Sequence, residues 1–256
     1  MTKKEIYAKY GIEYKSGKIL SPLFGWVALL LINGNAKLGK GVYTFSILPT
    51  NELYQFIFDG IEFQVRGTCP CHCKGCYATK GFYCMSSTKN SLAKKTILVR
   101  ECLDWVKRAI LAQIEAENIK MLRIHASGDF MSAEYIQMWR EIVDSTPSTV
   151  YWTYTKNPDA EHAFDDMNNI NVVPSLVKGF GFNFGHCDYI LKVYRALKEL
   201  GERVYICRCG IDPNQHCVNC KGCSENTFVL FIEHSTEYKA EDDPCFEELK
   251  AIIENQ

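Results

Sequence analysis

The feature that most limits what this chain can be is a run of four cysteines within eight residues: Cys69, Cys71, Cys73 and Cys76. No regular helix or strand can separate them. Taken as Cys69-x3-Cys73-x2-Cys76, the run has the spacing of a loop that binds an iron–sulfur cluster. Three thiolates on a 4Fe–4S cluster leave one iron open to an outside ligand. The spacing therefore predicts ligands at Cys69, Cys73 and Cys76, and it indicates no substrate.

A structural zinc site is the alternative for the same loop. Zinc prefers four closed ligands, usually from two pairs separated by a longer gap. Pro70 and Gly75 shape a loop that fits iron–sulfur better. Either Cys71 or Cys84 could supply a fourth ligand. A cluster with four protein ligands would be structural or would transfer electrons, and it would not bind substrate.

A second run of cysteines lies near the C-terminus. Its triplet, Cys217-x2-Cys220-x2-Cys223, matches the tight part of a ferredoxin-type loop, with Cys209 or Cys207 as a remote fourth ligand. Zinc is the alternative metal at this site. The tetrapeptide Cys-Lys-Gly-Cys occurs in both runs. Its glycine lets the backbone fold around a metal, and its lysine offsets thiolate charge.

Composition agrees with metal binding in a reducing compartment. Thirteen cysteines are an odd number, and their clustering suits thiolate ligands better than a disulfide framework. The first residues show no apolar signal-peptide core, and the longest apolar stretch near the start, Trp26–Ile32, is far shorter than the roughly 20 residues of a membrane span. We expect a cytoplasmic protein with no membrane partner.

The formal net charge of −1 argues against a protein devoted to non-specific nucleic-acid binding. Residues 66–108 nevertheless hold nine basic side chains. They are either solvated helix faces that also offset thiolate charge, or a contact surface for an anionic substrate or a nucleic-acid backbone. The nine are Arg66, Lys74, Lys80, Lys89, Lys94, Lys95, Arg100, Lys107 and Arg108.

The hydrophobic pattern predicts one α/β domain over residues 1–256, in three parts: a β-rich 1–65, a βα-repeat core 66–206 and a cysteine-rich 207–256. Residues 1–25 show no clear periodicity. From Gln64 onward, strand, loop and helix alternate, which implies parallel strands. The predicted strands are Trp26–Ile32, Val42–Leu48, a hairpin over 54–65 about Asp59-Gly60, Met121–His125, Thr149–Tyr154, Ile170–Val173, Val177–Phe182, Arg203–Cys207 and Thr227–Ile232. The predicted helices are one or two over 91–117, then 133–143, 188–200 and Cys245–Ile253.

In parallel α/β proteins, functional residues collect at the carboxyl ends of the strands. Cys69–Cys76, Ser127–Asp129, Thr155–Asn157 and Cys207–Cys223 each follow a predicted strand, so we expect them to converge. Asp129 could cap the following helix or accept the amine of a ligand. His125 fits a hydrogen-bonded core residue better than a catalyst.

The stretch from Gln64 to about Asn157 resembles the radical S-adenosylmethionine (SAM) superfamily. The resemblance implies a partial (β/α) barrel and a 4Fe–4S cluster on Cys69, Cys73 and Cys76. It also implies SAM contacts near Ser127, Gly128, Asp129 and the aromatic Tyr77, and an electron donor such as a ferredoxin or flavodoxin. The chain departs from that pattern: Ser-Gly-Asp-Phe replaces two glycines followed by Glu-Pro, and Tyr77 follows the last cysteine rather than preceding it.

Most of the chain is also similar to the phage "gene product 88" family, whose cysteine loop looks radical-SAM-like. This similarity implies a viral or mobile-element origin, hence the cytoplasm of a bacterial host, and names no substrate. The matching stretches are Asn35–Leu38, Thr44–Pro49, Cys76–Ala78, Arg123–Phe130, Tyr154–Lys156 and the C-terminal cysteine triplet.

Two functional hypotheses follow. In the first, the chain is a radical-SAM-like enzyme that cleaves SAM reductively, with one cluster or two. In the second, it is a non-enzymatic scaffold braced by zinc or iron–sulfur sites, which binds nucleic acid through residues 66–108 or binds a host protein.

Overall fold

The computed structural model describes residues 1–34, 38–71, 76–212, 214–233 and 239–256. They form a mixed α/β structure with several small sheets. The helices are α1 (Lys3–Lys9), α2 (Ser86–Glu101), α3 (Leu103–Glu117), α4 (Ala133–Ser145), α5 (Pro158–Glu161), α6 (Cys187–Glu199), α7 (Gly222–Glu225) and α8 (Phe246–Glu254). The strands are β1 (Tyr14–Lys15), β2 (Lys18–Ser21), β3 (Gly25–Ala28), β4 (Ile32–Asn33), β5 (Val42–Phe45), β6 (Leu53–Phe58), β7 (Ile61–Arg66), β8 (Met121–Ile124), β9 (Val150–Thr155), β10 (Ile170–Pro174), β11 (Leu176–Val177), β12 (Gly181–Phe182), β13 (Phe184–Gly185), β14 (Val204–Ile206) and β15 (Phe228–Ile232).

The largest sheet has the strand order β10-β9-β8-β5-β4. Strands β10, β9, β8 and β5 run parallel, and β4 pairs antiparallel with β5. On β8, Leu122 and Ile124 are fully buried in the main core, to which α3 and α4 also contribute. Met121 and Arg123 alternate with them and therefore face the opposite side of the sheet. That second side is the one that the C-terminal cysteines approach.

A second parallel sheet, β13-β15-β14, has its own core. Ile206 and Leu230 are fully buried there against Ile190 of α6 and Leu249 of α8. The remaining sheets are the antiparallel β1–β3 near the N-terminus, the β6–β7 hairpin and the short β11–β12 pair. The described residues form no closed barrel. Within those ranges, no helix combines the length and the apolar character that a membrane crossing needs.

Most of the predicted elements are confirmed, including the hairpin about Asp59-Gly60 and two helices over 91–117. The predicted buried strand Trp26–Ile32 is wrong. The strand there is β3, which pairs antiparallel with β2, and its Trp26 is 39% exposed. The predicted strand Val177–Phe182 is also wrong, because Gly179, at φ +84°, divides that stretch into β11 and β12.

The parallel repeat does not begin at Gln64. Gln64 lies in β7, which pairs antiparallel with β6 and with no other described strand, whereas β5 pairs in parallel with β8. The physical reason is burial. Val42 and Phe45 of β5 are fully buried, as a strand inside a sheet requires, whereas Ile61 of β7 is 62% exposed.

Candidate functional site

The cysteine loop starts at the carboxyl end of β5, although the β6–β7 hairpin intervenes in sequence. The backbone N–H of Thr68 donates to the carbonyl of Leu48 (3.1 Å), and the N–H of Cys69 donates to that of Thr50 (2.8 Å). Ile47 in turn donates to Ser127 after β8 (3.1 Å). The chain therefore leaves the carboxyl end of β5, forms the β6–β7 hairpin, and returns to the same edge of the largest sheet at Thr68. We call this region the carboxyl-edge site; its described residues are Thr68–Cys71, Cys76, Ser127–Asp129, Thr155 and Lys156.

Asp129 joins the loops of this site to one another. Its Oδ1 accepts hydrogen bonds from the hydroxyl of Thr155 (2.6 Å) and the N–H of Phe130 (2.8 Å), and its Oδ2 accepts from the N–H of Lys156 (2.9 Å). Its own N–H donates to Thr68 Oγ1 (3.0 Å). Burial raises the pKa of Asp129, and the three accepted bonds oppose that rise. The carboxylate is 1% exposed, and most of its acceptor positions are used within the protein.

Asp129 does not cap the following helix. Helix α4 is capped by Ser132, whose Oγ accepts from the N–H of Tyr135 (3.2 Å). Gly128 is required where it stands: its φ is +83°, and an added Cβ would lie 2.5 Å from Ile47 Cγ1 and 2.7 Å from Thr68 Oγ1. Ser127 donates to the carbonyl of Ile47 (2.8 Å). These contacts are internal, and the contact of this turn with SAM stays a prediction.

Two of the three predicted ligands in the loop are described. Burial raises the pKa of Cys69 to about 12, with Asp129 and Cys76 adding to the rise and Lys156 opposing it. Cys69 and Cys76 are therefore near enough to interact electrostatically. Cys73, the third predicted ligand, lies outside the described residues. Of the alternative ligands, Cys71 is half-buried, and the exposed Cys84 donates its thiol to the carbonyl of Thr79 (2.9 Å).

Tyr77 connects the end of the cysteine loop to the central strand β8. Its hydroxyl donates to the carbonyl of Ala126, and Arg123 Nη2 donates to its oxygen (3.3 Å). Its ring meets Tyr83 edge-on at 5.9 Å between centroids. The side chain is 57% exposed, so it forms part of the surface of the carboxyl-edge site.

The C-terminal cysteines converge on the other side of the sheet. Five of them line one cavity together with Trp152, Arg208 and Ser224; we call it the five-cysteine cavity. The Val218 N–H donates to the carbonyl of Leu38 (3.1 Å), which ties the segment to the loop before β5. The five are Cys207, Cys209, Cys217, Cys220 and Cys223.

Tyrosines reach two of these sulfurs. The hydroxyl of Tyr154, on β9, donates to Cys223 Sγ (2.7 Å), and the hydroxyl of Tyr205, on β14, lies 3.3 Å from Cys220 Sγ. Gly222 packs flat on the Tyr205 ring, since a Cβ there would lie 2.2 Å from its Cε1. The triplet is therefore positioned by aromatic side chains from both parallel sheets.

The thiols of the cavity are crowded. Hydrogen bonding to Cys209, followed by burial, raises the pKa of Cys217 and of Cys207. Burial raises the pKa of Cys223 to about 11, partly offset by Tyr154 and Arg123. Protonated thiols are expected at neutral pH unless a metal ion displaces the protons. Among the described side chains, no set of three or more His, Cys, Asp or Glu is already arranged to hold a metal ion.

The donor set of the cavity nevertheless fits a thiophilic metal. All five candidate ligands are sulfur atoms, the ligand type that zinc and iron–sulfur centres use. Three buried nitrogens without a hydrogen-bond partner among the described residues belong to Arg208, which lines the cavity, to Arg123, which lies over Tyr154, and to His216, which precedes Cys217 in the chain: Arg208 Nε, Arg123 Nε and His216 Nδ1. None of the twelve described cysteines forms a disulfide.

The basic residues of 66–108 are largely engaged within the protein. Lys107 pairs with Glu141 (3.0 Å), and Arg108 pairs with Asp104 (2.9 Å). Lys95 is buried, which leaves little of α2 and α3 as a cationic surface. Further contacts are Arg100 with the carbonyl of Arg66 (2.7 Å), Arg66 with that of Asn51 (2.9 Å), and Lys94 with the rings of Phe24 and Phe58 (5.2 and 4.8 Å). Lys74 lies outside the described residues.

Sequence reasoning missed the side chains around the C-terminal cysteines, namely Arg123, Tyr154, Tyr205 and Arg208. Of these, Arg123 and Tyr154 connect the C-terminal run to Tyr77, at the end of the first run. A signal for Arg123 was present: it stands inside Met121–Ile124, a strand otherwise apolar. An arginine there must reach a polar partner across the sheet face. The partners themselves follow from the packing of the C-terminal segment, which no local pattern reveals.

A family model described as "Gene product 88" matches residues 29–237, which include both cysteine runs. No curated protein and no solved structure matches the chain.

Proposed function

The chain belongs to the gene product 88 family, a family of phage gene products, and we propose that it is a radical-SAM-like iron–sulfur protein. Cys69, Cys73 and Cys76 would bind a 4Fe–4S cluster. The observation that carries the proposal is the position of Cys69, which follows Thr68 beside the end of β5 and lies next to Asp129 and Lys156 at the ends of β8 and β9. Ligands of parallel sheets bind at this edge.

A cluster held by Cys69, Cys73 and Cys76 would supply the electron for reductive cleavage of SAM, and so would initiate hydrogen abstraction from a substrate. The chain contributes orientation and charge. Lys156 lowers the pKa of Cys69 and so favours its thiolate. Asp129 holds the loops after β8 and β9 in register around the edge. A small electron donor of the ferredoxin or flavodoxin class in the bacterial cytoplasm would supply the electron.

The test begins with anaerobically purified full-length protein. We expect about four irons and four sulfides per cluster for a 4Fe–4S centre, an EPR spectrum of the reduced protein that SAM perturbs, and release of 5′-deoxyadenosine. Cys76→Ser should lose the iron of this cluster, the effect of SAM on the EPR spectrum and the release of 5′-deoxyadenosine. Cys245→Ser, outside both runs, is the matched control. A SAM-insensitive spectrum and no 5′-deoxyadenosine would overturn the proposal.

The alternative is a metal-braced scaffold without enzymatic activity. The observation that favours it is Asp129, whose carboxylate is satisfied by Thr155, Phe130 and Lys156 instead of facing open space. In that case Cys71 or Cys84 completes the first site, and Cys71→Ser or Cys84→Ser should lose metal. In the open-iron proposal, both variants retain it. Salt-dependent binding to nucleic acid would also favour the scaffold.

A further inference from the structure

Two arginines at the five-cysteine cavity carry buried nitrogens that lack a partner among the described residues. Arg208 lines the cavity, and the Arg123 guanidinium lies over the ring of Tyr154, whose hydroxyl donates to Cys223 Sγ. In each, Nε is buried and without a hydrogen-bond acceptor. A third such nitrogen, Nδ1 of His216, belongs to the residue before Cys217. A buried N–H without an acceptor is destabilising, more so when the group is charged, so this grouping requires a cause.

Arg123 is held in place by other contacts, so its unpaired Nε does not reflect a loosely placed side chain. Arg123 uses Nη2 to donate to Tyr77 (3.3 Å), and its guanidinium lies 5.0 Å from the centroid of the Tyr154 ring. That same tyrosine donates to Cys223 Sγ. Arg123 is therefore fixed between the carboxyl-edge site and the cavity, with Nε left unpaired.

A thiolate sulfur, which is negatively charged, would accept hydrogen bonds from these N–H groups. Thiols are poor acceptors, whereas metal-bound thiolates accept hydrogen bonds from surrounding donors, and such partners tune the metal site. Four thiolates around a divalent ion carry a net negative charge. Two guanidinium groups would offset that charge in a buried setting, where an uncompensated charge is costly.

We propose that the five-cysteine cavity holds an anionic metal–thiolate centre, and that Arg123 and Arg208 are its positioning residues, donating Nε–H to its sulfurs. The ligands come from Cys209, Cys217, Cys220 and Cys223, with Cys207 as the spare sulfur. The proposal is independent of SAM cleavage, since it concerns the other cysteine run. Single zinc ions and iron–sulfur clusters share this chemistry. The cavity volume is about 10 Å³, and no three of the described thiols are already arranged around an ion, so the thiols must shift to bind a single ion and must move further apart to bind a cluster.

The experiment uses the full chain with the first run removed, Cys69→Ser/Cys73→Ser/Cys76→Ser, so that all remaining metal belongs to the cavity. We expect stoichiometric metal by elemental analysis. Zinc without sulfide identifies a single ion, and iron with equal acid-labile sulfide identifies a cluster. Either result supports the proposal. Absence of bound metal in correctly folded protein, checked by circular dichroism, overturns it whatever the first run does with SAM.

The arginines are tested in the same background. Arg123→Gln and Arg208→Gln should each weaken metal retention against a competing chelator by about 10- to 100-fold, the usual effect of losing a partner of a metal ligand. Arg123→Lys and Arg208→Lys, which keep the charge and a donor, should recover part of the loss. Arg195→Gln, on the exposed face of α6, is the control. Unchanged retention in both glutamine variants would overturn the role of the arginines.

Discussion

Tyr154 donates its hydroxyl proton to Cys223 Sγ across 2.7 Å, which joins the end of β9 to the last cysteine of the C-terminal triplet. The two residues are separated by 69 positions in the chain. The bond attaches a short irregular segment to the largest sheet, with Asn171 adding a second attachment through the carbonyl of Cys223 (2.8 Å). Five sulfurs can therefore meet on the face of the sheet although, of the five cysteines, only Cys223 lies in an α-helix or a strand, the short helix α7.

Replacing Tyr154 with phenylalanine should lower the free energy of unfolding by about 1 kcal/mol. The ring stays packed against Phe231 while the hydroxyl bond to Cys223 is lost. Urea unfolding of the purified protein measures the change. Tyr194→Phe, on α6, is the control and should shift the midpoint little. Equal stability of wild type and Tyr154→Phe would show that this hydrogen bond contributes nothing net.

Gly222→Ala should destabilise the chain by roughly 1–3 kcal/mol through overpacking. The new methyl group would lie 2.2–2.7 Å from atoms of the Tyr205 ring, which cannot yield without leaving the second parallel sheet. Thermal unfolding measures the loss, and Glu225→Ala on the exposed end of α7 serves as the control.

A double-mutant cycle tests the mechanism of that loss. Tyr205→Ala removes the ring, so Gly222→Ala should cost much less in the Tyr205→Ala background than in the wild type. The same cost in both backgrounds would mean that the alanine acts through the backbone and not through the ring.

His125 should make stability depend on pH. Its side chain is 2% exposed, and burial, followed by the charge of Arg123, lowers its pKa to about 3. Between about pH 6.5 and pH 3, His125 is therefore protonated in the unfolded chain and neutral in the folded chain. The stability contributed by neutral His125 is fully present above about pH 6.5 and is lost as pH falls toward 3, by about 2 kcal/mol between pH 7 and pH 5.

His125→Asn tests this, because φ at this position is +58° and asparagine tolerates the left-handed region. Loss of the 2.8 Å contact with Tyr135 will lower stability at every pH, so the slope is the readout. The difference between wild type and variant should shrink from pH 7 to pH 5. His162→Asn, at a position whose side chain is 82% exposed, is the matched control for the substitution. A constant difference would contradict the assignment.

Local sequence patterns were sufficient to predict those helices and turns whose buried and exposed positions can be recognised within the segment itself. The amphipathic spacing of α3 and the Asp59-Gly60 turn are examples. Helix α1 was missed, although Thr2 and Glu5 form a capping box that could have predicted its start. The position of β7 outside the parallel sheet was not predictable. Its sequence is compatible with pairing either in the hairpin or in the parallel sheet, and long-range packing determines which pairing forms.

The convergence of the loops that follow the parallel strands was predictable, because the carboxyl ends of parallel strands lie at one edge of the sheet. Thr68, Asp129 and Thr155 do meet at that edge. The sharing of one cavity by five C-terminal cysteines was not predictable. The seven residues between Cys209 and Cys217 allow these two cysteines many relative positions. The arrangement in the structure depends on contacts with Tyr154, with Tyr205 and with the loop at Leu38.

Lys95→Met should stabilise the protein at neutral pH. Lys95 is 6% exposed on α2, and its Nζ lies 5.6 Å from the centroid of the Phe45 ring. Burial lowers its pKa to about 8 from 10.5. Between those two pH values the unfolded chain binds more protons than the folded chain, so wild-type stability should rise with pH across that window.

The methionine variant has no such proton to lose. It should be more stable than the wild type by about 1–3 kcal/mol at pH 7, and the gap should narrow by about pH 10. Urea unfolding at several pH values measures both quantities. Lys94→Met, at a half-buried neighbouring position over Phe24 and Phe58, is the control for loss of a cation–aromatic contact and should show no such narrowing. If Lys95→Met is less stable than the wild type at pH 7, the buried ammonium has a favourable partner and the assigned pKa direction is wrong.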